Sequence, residues 1–203
     1  MTSTHPARES NRPAGGAARH SPHHMGSADT DQQPSDDTNE PVRVLVEIPR
    51  GSRNKYEYNQ ETDEIELDRR LFAAVTYPTE YGFVKDTRTE EGEELDALVT
   101  TTEPTFPGCV IRVRPIAMLR MFDGETPDYK ILGVPLSDPY WSELERLDDL
   151  PGDLAQEIEH FFEVYTDLEG KQWRLEGWGD RDEAVAEIES GRERFRSAGD
   201  DGG

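Results

Sequence analysis

The stretch TEEGEELDALV, residues 89–99, carries a run of glutamates that ends at Asp96, where an apolar segment begins. Glu91, Glu93 and Asp96 follow an acid-x-acid-x-x-acid spacing, with Gly92 available for a tight turn. On an extended strand end, Glu91 and Glu93 share a face by the period of two, and a turn through Glu94 and Leu95 brings Asp96 back towards them. Three such carboxylates repel one another unless a cation sits among them, and a hard divalent ion takes oxygen ligands of this kind. Taken alone, the turn reads more simply as a solvated loop in an acidic chain.

Two further stretches shift that balance. FDGETPDYK places Asp123 and Asp128 on either side of a turn rich in Gly and Pro, with Lys130 directly after it. Two acid-rich turns, each abutting an apolar strand, are expected to face each other across a barrel mouth. Metal ions held there at short separation clamp the attacking and leaving oxygens of a phosphoryl displacement. EIPRGSRNKYEYN then contributes Glu47, Lys55 and Glu57, and LDRRLFAAVTYPTEYGF contributes Arg69, Tyr77 and Tyr81. Singly, Tyr77 before Pro78 reads as a packed core aromatic and Arg69 as a surface ion pair. Together with an acidic, metal-bearing pocket, Lys and Arg are what a compact, highly charged anion needs.

The elements that must position these groups lie between residues 41 and 195. Residues 1–40 are Ser, Thr, Pro, Gly, Asp and His with almost nothing to bury, and are expected to be a disordered tail, with Met25 an alternative start. Residues 196–203 are expected to form a second disordered tail. From residue 42 onward, short runs rich in β-branched and aromatic residues recur between Gly and Pro: VRVLVEIP, YEYN, EIELD, AVTYP, YGFVKD, LDALVTT, CVIRVRPIAMLRMFD and YKILGVP. Their period and punctuation predict a closed or partly open barrel of small strands. LPGDLAQEIEHFFEVYTDLEGK then aligns Leu154, Ile158, Phe161, Phe162 and Tyr165 on one helical face, and RDEAVAEIESGRERFR predicts a second helix. Strands first and helices last make an α+β domain with helices covering one side of a barrel.

Composition excludes other classes. With 44 acidic against 22 basic side chains, a formal charge of −22 repels phosphate backbones and anionic membranes, so neither a nucleic-acid nor a lipid partner is expected. No 18-residue apolar run spans a membrane. The one cysteine, Cys109, allows no internal disulfide and no Cys-built zinc cluster, and fits a reducing cytoplasm. Of five His, only His160 lies outside the first 40 residues, which argues against a His-built site.

In order along the chain, EIPRGSRNKYEY, the DR…YPTEYGF segment, the acidic turn before FPGCVIRVRPIAML, D…DYKILGVP, and HFFEVYTDLEG…EGW resemble soluble family I inorganic pyrophosphatases over residues 42 to about 192. The resemblance implies a five-stranded OB-like β-barrel with flanking C-terminal helices, assembled as a homo-oligomer, a hexamer in bacterial members. It implies Mg²⁺-dependent hydrolysis of pyrophosphate to two phosphates. Glu91, Asp96 and Asp128 would hold the principal metals, and Asp123 and Glu57 those arriving with substrate. Lys55, Arg69, Tyr81, Lys130 and Tyr165 would bind phosphate oxygens, Glu93 would act as the base, and Glu47 and Tyr77 would support them. The chain departs from the family pattern where Glu91 and Glu93 replace Asp and Thr166 replaces Lys. The longer acids and the lost charge raise two alternatives: a preference for a larger ion such as Mn²⁺, and a weakened or inactive phosphate-binding or regulatory protein.

Overall fold

The computed structural model describes residues 41–170 and 173–200, all within the unit Asp37–Gly203. In chain order the elements are β1 (Val42–Ile48), β2 (Asn54–Asn59), β3 (Glu64–Arg70), β4 (Glu80–Val84), β5 (Leu95–Val99), β6 (Val110–Asp123), β7 (Thr126–Pro127), β8 (Lys130–Pro135), α1 (Leu154–Val164), β9 (Trp173–Gly179) and α2 (Arg181–Asp200). Alternation in β1 buries Val42, Val44, Val46 and Ile48 and leaves the residues between them partly or fully exposed. The apolar run of β8 is buried at all six positions, as expected of a strand covered on both faces.

Hydrogen bonding runs β1-β4-β5-β8-β6, and β6 pairs back onto β1. Five strands therefore close into a ring, an OB-like barrel, and closure leaves none of the five as an open edge. All of these pairings are antiparallel except β5 with β8. β2 and β3 form a separate two-stranded sheet, and β9 and β7 extend the ring along β6. The 14-residue β6 serves β1, β8, β9 and β7 in turn, and its register with β8 slips between Pro115 and Ala117. A proline cannot donate to a ladder, so a bulge is where an interior strand tolerates one.

Two apolar clusters sit on the strands. One gathers Val44, Val84, Leu95, Ala97 and Ile131 under Ala184 and Ile188 of α2. The other gathers Ile48, Leu98, Leu119 and Leu132 under Ile158, Phe161 and Phe162 of α1, with Leu154 and Tyr165 packed at its edge. β1 and β4 approach so closely at Gly82 that a Cβ there would lie 1.9 Å from the Leu45 carbonyl oxygen.

Three expectations change. AVTYP, residues 74–78, is not a strand: Tyr77 exchanges one pair of backbone hydrogen bonds with Gly51 and Ser52, and Pro78 cannot extend the ladder. Helices do not simply follow strands, because β9 intervenes between α1 and α2. α2 runs on to Asp200, past the boundary expected at residue 195, whereas residues 1–40 and 201–203 lie outside the described residues.

Candidate active site

At the centre of the site is Lys130, the first residue of β8. Parallel pairing sets Ala97 opposite Ile131, which makes Asp96 of β5 the lateral neighbour of Lys130. Leu95 and Ala97 are buried in the first cluster, so Asp96 projects from the other face of its strand. Asp128 stands two residues before Lys130, after a turn in which Gly124 takes a φ of +61°, and its N–H donates to the Met121 carbonyl at 2.8 Å. The Lys130 ammonium, 3 % exposed, donates to Asp128 Oδ1 at 2.5 Å and also to Asp96 Oδ2. Tyr81 of β4 donates its hydroxyl to the same Asp96 oxygen at 2.5 Å.

These groups open onto a cavity of about 650 Å³. Its wall includes Glu57 and Lys55 from β2, Arg69 from β3, Glu91 and Glu93 from the acidic turn, Asp123 from the end of β6, and Tyr165 from the cap of α1. All eleven residues singled out in sequence for catalysis, substrate or metal thus lie on one cavity. Glu47, Glu94, Arg88, Thr166 and Trp173 join them, so eight carboxylates face four cations. Tyr77 lies behind, buried, its ring 5.6 Å from that of Tyr81 and 4.7 Å from that of Phe161.

Electrostatics follow from crowding. Burial alone would push the Lys130 ammonium towards its neutral form, but Asp96 and Asp128 overcome this and hold it charged. Burial raises the Asp128 carboxyl; Lys130 opposes the rise and Asp96 adds to it. Glu93 is raised by burial and then by Asp96, Glu91 and Asp128. Glu47 is pushed up to about 8, chiefly by burial, although the Tyr58 N–H donates to its Oε1 at 2.7 Å. Burial also raises the phenols of Tyr81 and Tyr165, which remain hydroxyl donors at neutral pH.

Among the described residues, no three carboxylates already close around one metal-sized point. The spacing of Glu91, Glu93 and Asp96 led us to expect such a cluster, but the cation drawn between acids here is Lys130. The donor set is nevertheless all oxygen, and two of its acids already share a single positive charge. That is the chemistry a hard divalent ion requires.

Several partners were not visible in sequence. Glu169 accepts from Arg69 Nε at 3.1 Å and Nη2 at 2.7 Å, and Asp68 takes Arg69 Nη1 while lying 3.4 Å from Lys55. Thr166 is buried and accepts from Trp173 Nε1 at 3.1 Å. Thr166 leaves the cavity one lysine charge short of the family pattern, and of Arg50, Arg53, Arg70 and Arg88 only Arg88 lines it. Its Nη1 is held by the Gly92 carbonyl at 2.5 Å.

A closed OB-like barrel with carboxylates and cations facing one another at its mouth defines a class of site suited to metal ions and a polyvalent anion. Residues 44–196 match the family model described as inorganic pyrophosphatase, and the chain belongs to that family. It is 51% identical over 152 residues to an inorganic pyrophosphatase of Methanosarcina acetivorans, covering 75% of this chain and 90% of the relative. An inorganic pyrophosphatase of Streptomyces coelicolor is 52% identical over 157 residues, with 77% and 96% covered. The crystal structure of inorganic pyrophosphatase from Thermus thermophilus is similar at 39% identity and a TM-score of 0.75, over 83% of this chain and 99% of that one.

Proposed function

We propose that this chain hydrolyses inorganic pyrophosphate to two phosphates with a divalent metal, Mg²⁺ in the first instance and Mn²⁺ as the alternative, acting in the cytoplasm as a homo-oligomer of hexameric size. What supports the reading most is the meeting of Asp96, Asp128, Tyr81 and Lys130 on one cavity with the remaining acids and cations, in a chain of this family. Glu91, Asp96 and Asp128 would hold the principal ions, and Asp123 and Glu57 those that come with substrate. Bound there, the ions would neutralise phosphate charge and make a water acidic enough to ionise near neutral pH.

The chain's own groups do the rest. Lys55, Lys130 and Arg69 draw phosphate oxygens to the wall, and Tyr81 and Tyr165 add hydroxyl donors. Arg69 already spends Nε and Nη2 on Glu169, so it offers its fork to phosphate by releasing Asp68 from Nη1. The Glu169 clamp fixes the guanidinium plane in advance, which lowers the ordering cost of binding. Glu93 takes the proton of the attacking water, and positive charge on the wall stabilises the departing phosphate. No covalent link to the enzyme is needed.

Phosphate release from pyrophosphate, measured with Mg²⁺ and with Mn²⁺, tests this. Wild type should turn over, and Asp96→Asn and Glu93→Gln should each lose about a hundredfold or more in kcat, as misplaced or missing catalytic groups do. Glu91, Glu93 and Thr166 are the residues that favour the second reading, a phosphate-binding or regulatory protein. Wild type as silent as both variants with either ion would overturn hydrolysis and leave that second reading in its place.

A further inference from the structure

On the outside of the barrel, positive charges line up across neighbouring strands. Arg43 of β1 stands opposite Arg112 of β6, and the Lys85 N–H, one residue beyond β4, donates to the Arg43 carbonyl at 2.8 Å. One rung across three adjacent backbone segments thus carries Arg112, Arg43 and Lys85. Like charges directly opposite one another on a sheet are destabilising. α2 adds Arg192 and Arg196, one helical turn apart and hence on one face. Together with Pro41, Phe195 and Asp86, the residues Arg43, Lys85, Arg192 and Arg196 line a cavity of about 410 Å³.

The absence of partners is the second observation. Acids outnumber bases two to one in this chain, and Lys55, Arg69, Arg120, Lys130, Arg174 and Arg194 each find a carboxylate. Arg43, Lys85 and Arg196 form no ion pair and no side-chain hydrogen bond with any described residue. Of the residues lining their cavity, only Asp86 is acidic, and it leaves an excess of positive charge in a protein of net charge −22. Four cations drawn together from a strand, a turn and a helix, with three left unpaired, form a receptor for negative charge. The size of the cavity and the convergence of two or more guanidinium forks suit a chain of phosphates better than a single carboxylate.

We propose that this outer cavity binds the phosphate chain of a di- or triphosphate, at a site sharing no lining residue with the active-site cavity. The test uses the full chain in EDTA at low salt, where the metal-free inner cavity presents mainly carboxylates and repels anions. Inorganic triphosphate and ATP are titrated calorimetrically. Wild type should bind one equivalent of each, within about threefold in affinity, because the phosphates carry the recognition. The double variant Arg43→Ser/Arg196→Ser and the single variant Lys85→Gln should each weaken binding by about tenfold or more, with melting temperatures no lower than wild type and unchanged pyrophosphate turnover. Lys55→Met, on the inner cavity, should bind as wild type does. No binding by wild type, equal binding by the outer variants, loss of binding in Lys55→Met, or binding of ATP alone would each overturn the proposal. None of these outcomes bears on hydrolysis, which is read separately with metal present.

Discussion

Replacing Lys130 with Met removes the one charge that holds Asp96 and Asp128 together. The ammonium is 3 % exposed, and the two carboxylates are 24 % and 28 % exposed. Deleting one partner of a buried ion pair costs about 3–5 kcal/mol, because the other charge stays behind unpaired. Here both acids keep some contact with water and can be rehydrated, so the lower end applies, about 3 kcal/mol. For a domain of this size that corresponds to a fall of about 6–12 °C in melting temperature. Urea unfolding in EDTA, followed by tryptophan fluorescence, measures the loss. The same acids are then free for a divalent ion, so Mg²⁺ should stabilise Lys130→Met by more than it stabilises wild type, even though activity is lost with the phosphate ligand. Equal stability of variant and wild type in EDTA, or an equal response to Mg²⁺, would refute the idea that Lys130 and metal compete for one pair of acids.

Glu47 predicts a pH dependence. Its carboxyl is raised in the folded protein from 4.5 to about 8, so between those values the native state holds a proton that the unfolded chain has released. Stability of the metal-free protein should therefore fall as pH rises from about 4.5 to about 8 and level off above, by at most about 5 kcal/mol at about 1.4 kcal/mol per decade. Denaturant midpoints across that range, with Glu47→Gln giving a flatter curve, check it; a flat wild-type curve would contradict it. Gly82→Ala should destabilise by about 3 kcal/mol or more, since the new methyl meets backbone at Leu45 rather than a side chain that can swing away. A melting temperature within about 2 °C of wild type would show that β1 and β4 can separate at little cost.

Local pattern revealed much of the fold. Alternation located β1, the short apolar run KILGVP located β8, and the 3.6-residue period located α1 with Ile158, Phe161 and Phe162 inward. β9 was missed because WRLEGWG lacks the β-branched run that marks a strand, and it owes its place to pairing with β6. AVTYP looked like a strand by composition, yet it has only the turn at Gly51 and Ser52 to bond to. For the site, residue types and motif order picked out residues that the fold brings to one cavity, but could not say who touches whom. Lys130 meets Asp96 across 34 residues through a parallel register, and Glu169 meets Arg69 across 100. Contacts at such separations are set by topology, and no short-range periodicity encodes them.

The parallel partnership of β5 and β8 has a consequence for assembly during synthesis. Until the segment through Pro135 has left the ribosome, β5 has no second neighbour and the barrel wall stays unsealed, with pairing groups open to other chains. The cluster of Asp96, Asp128, Tyr81 and Lys130 comes together at the same moment as that seal, because the residue that opens β8 is Lys130. Nascent chains halted before this point would be prone to association, and only those that pass it gain a protected wall, to which the later segment with Tyr165 and Glu169 adds the rest of the cavity.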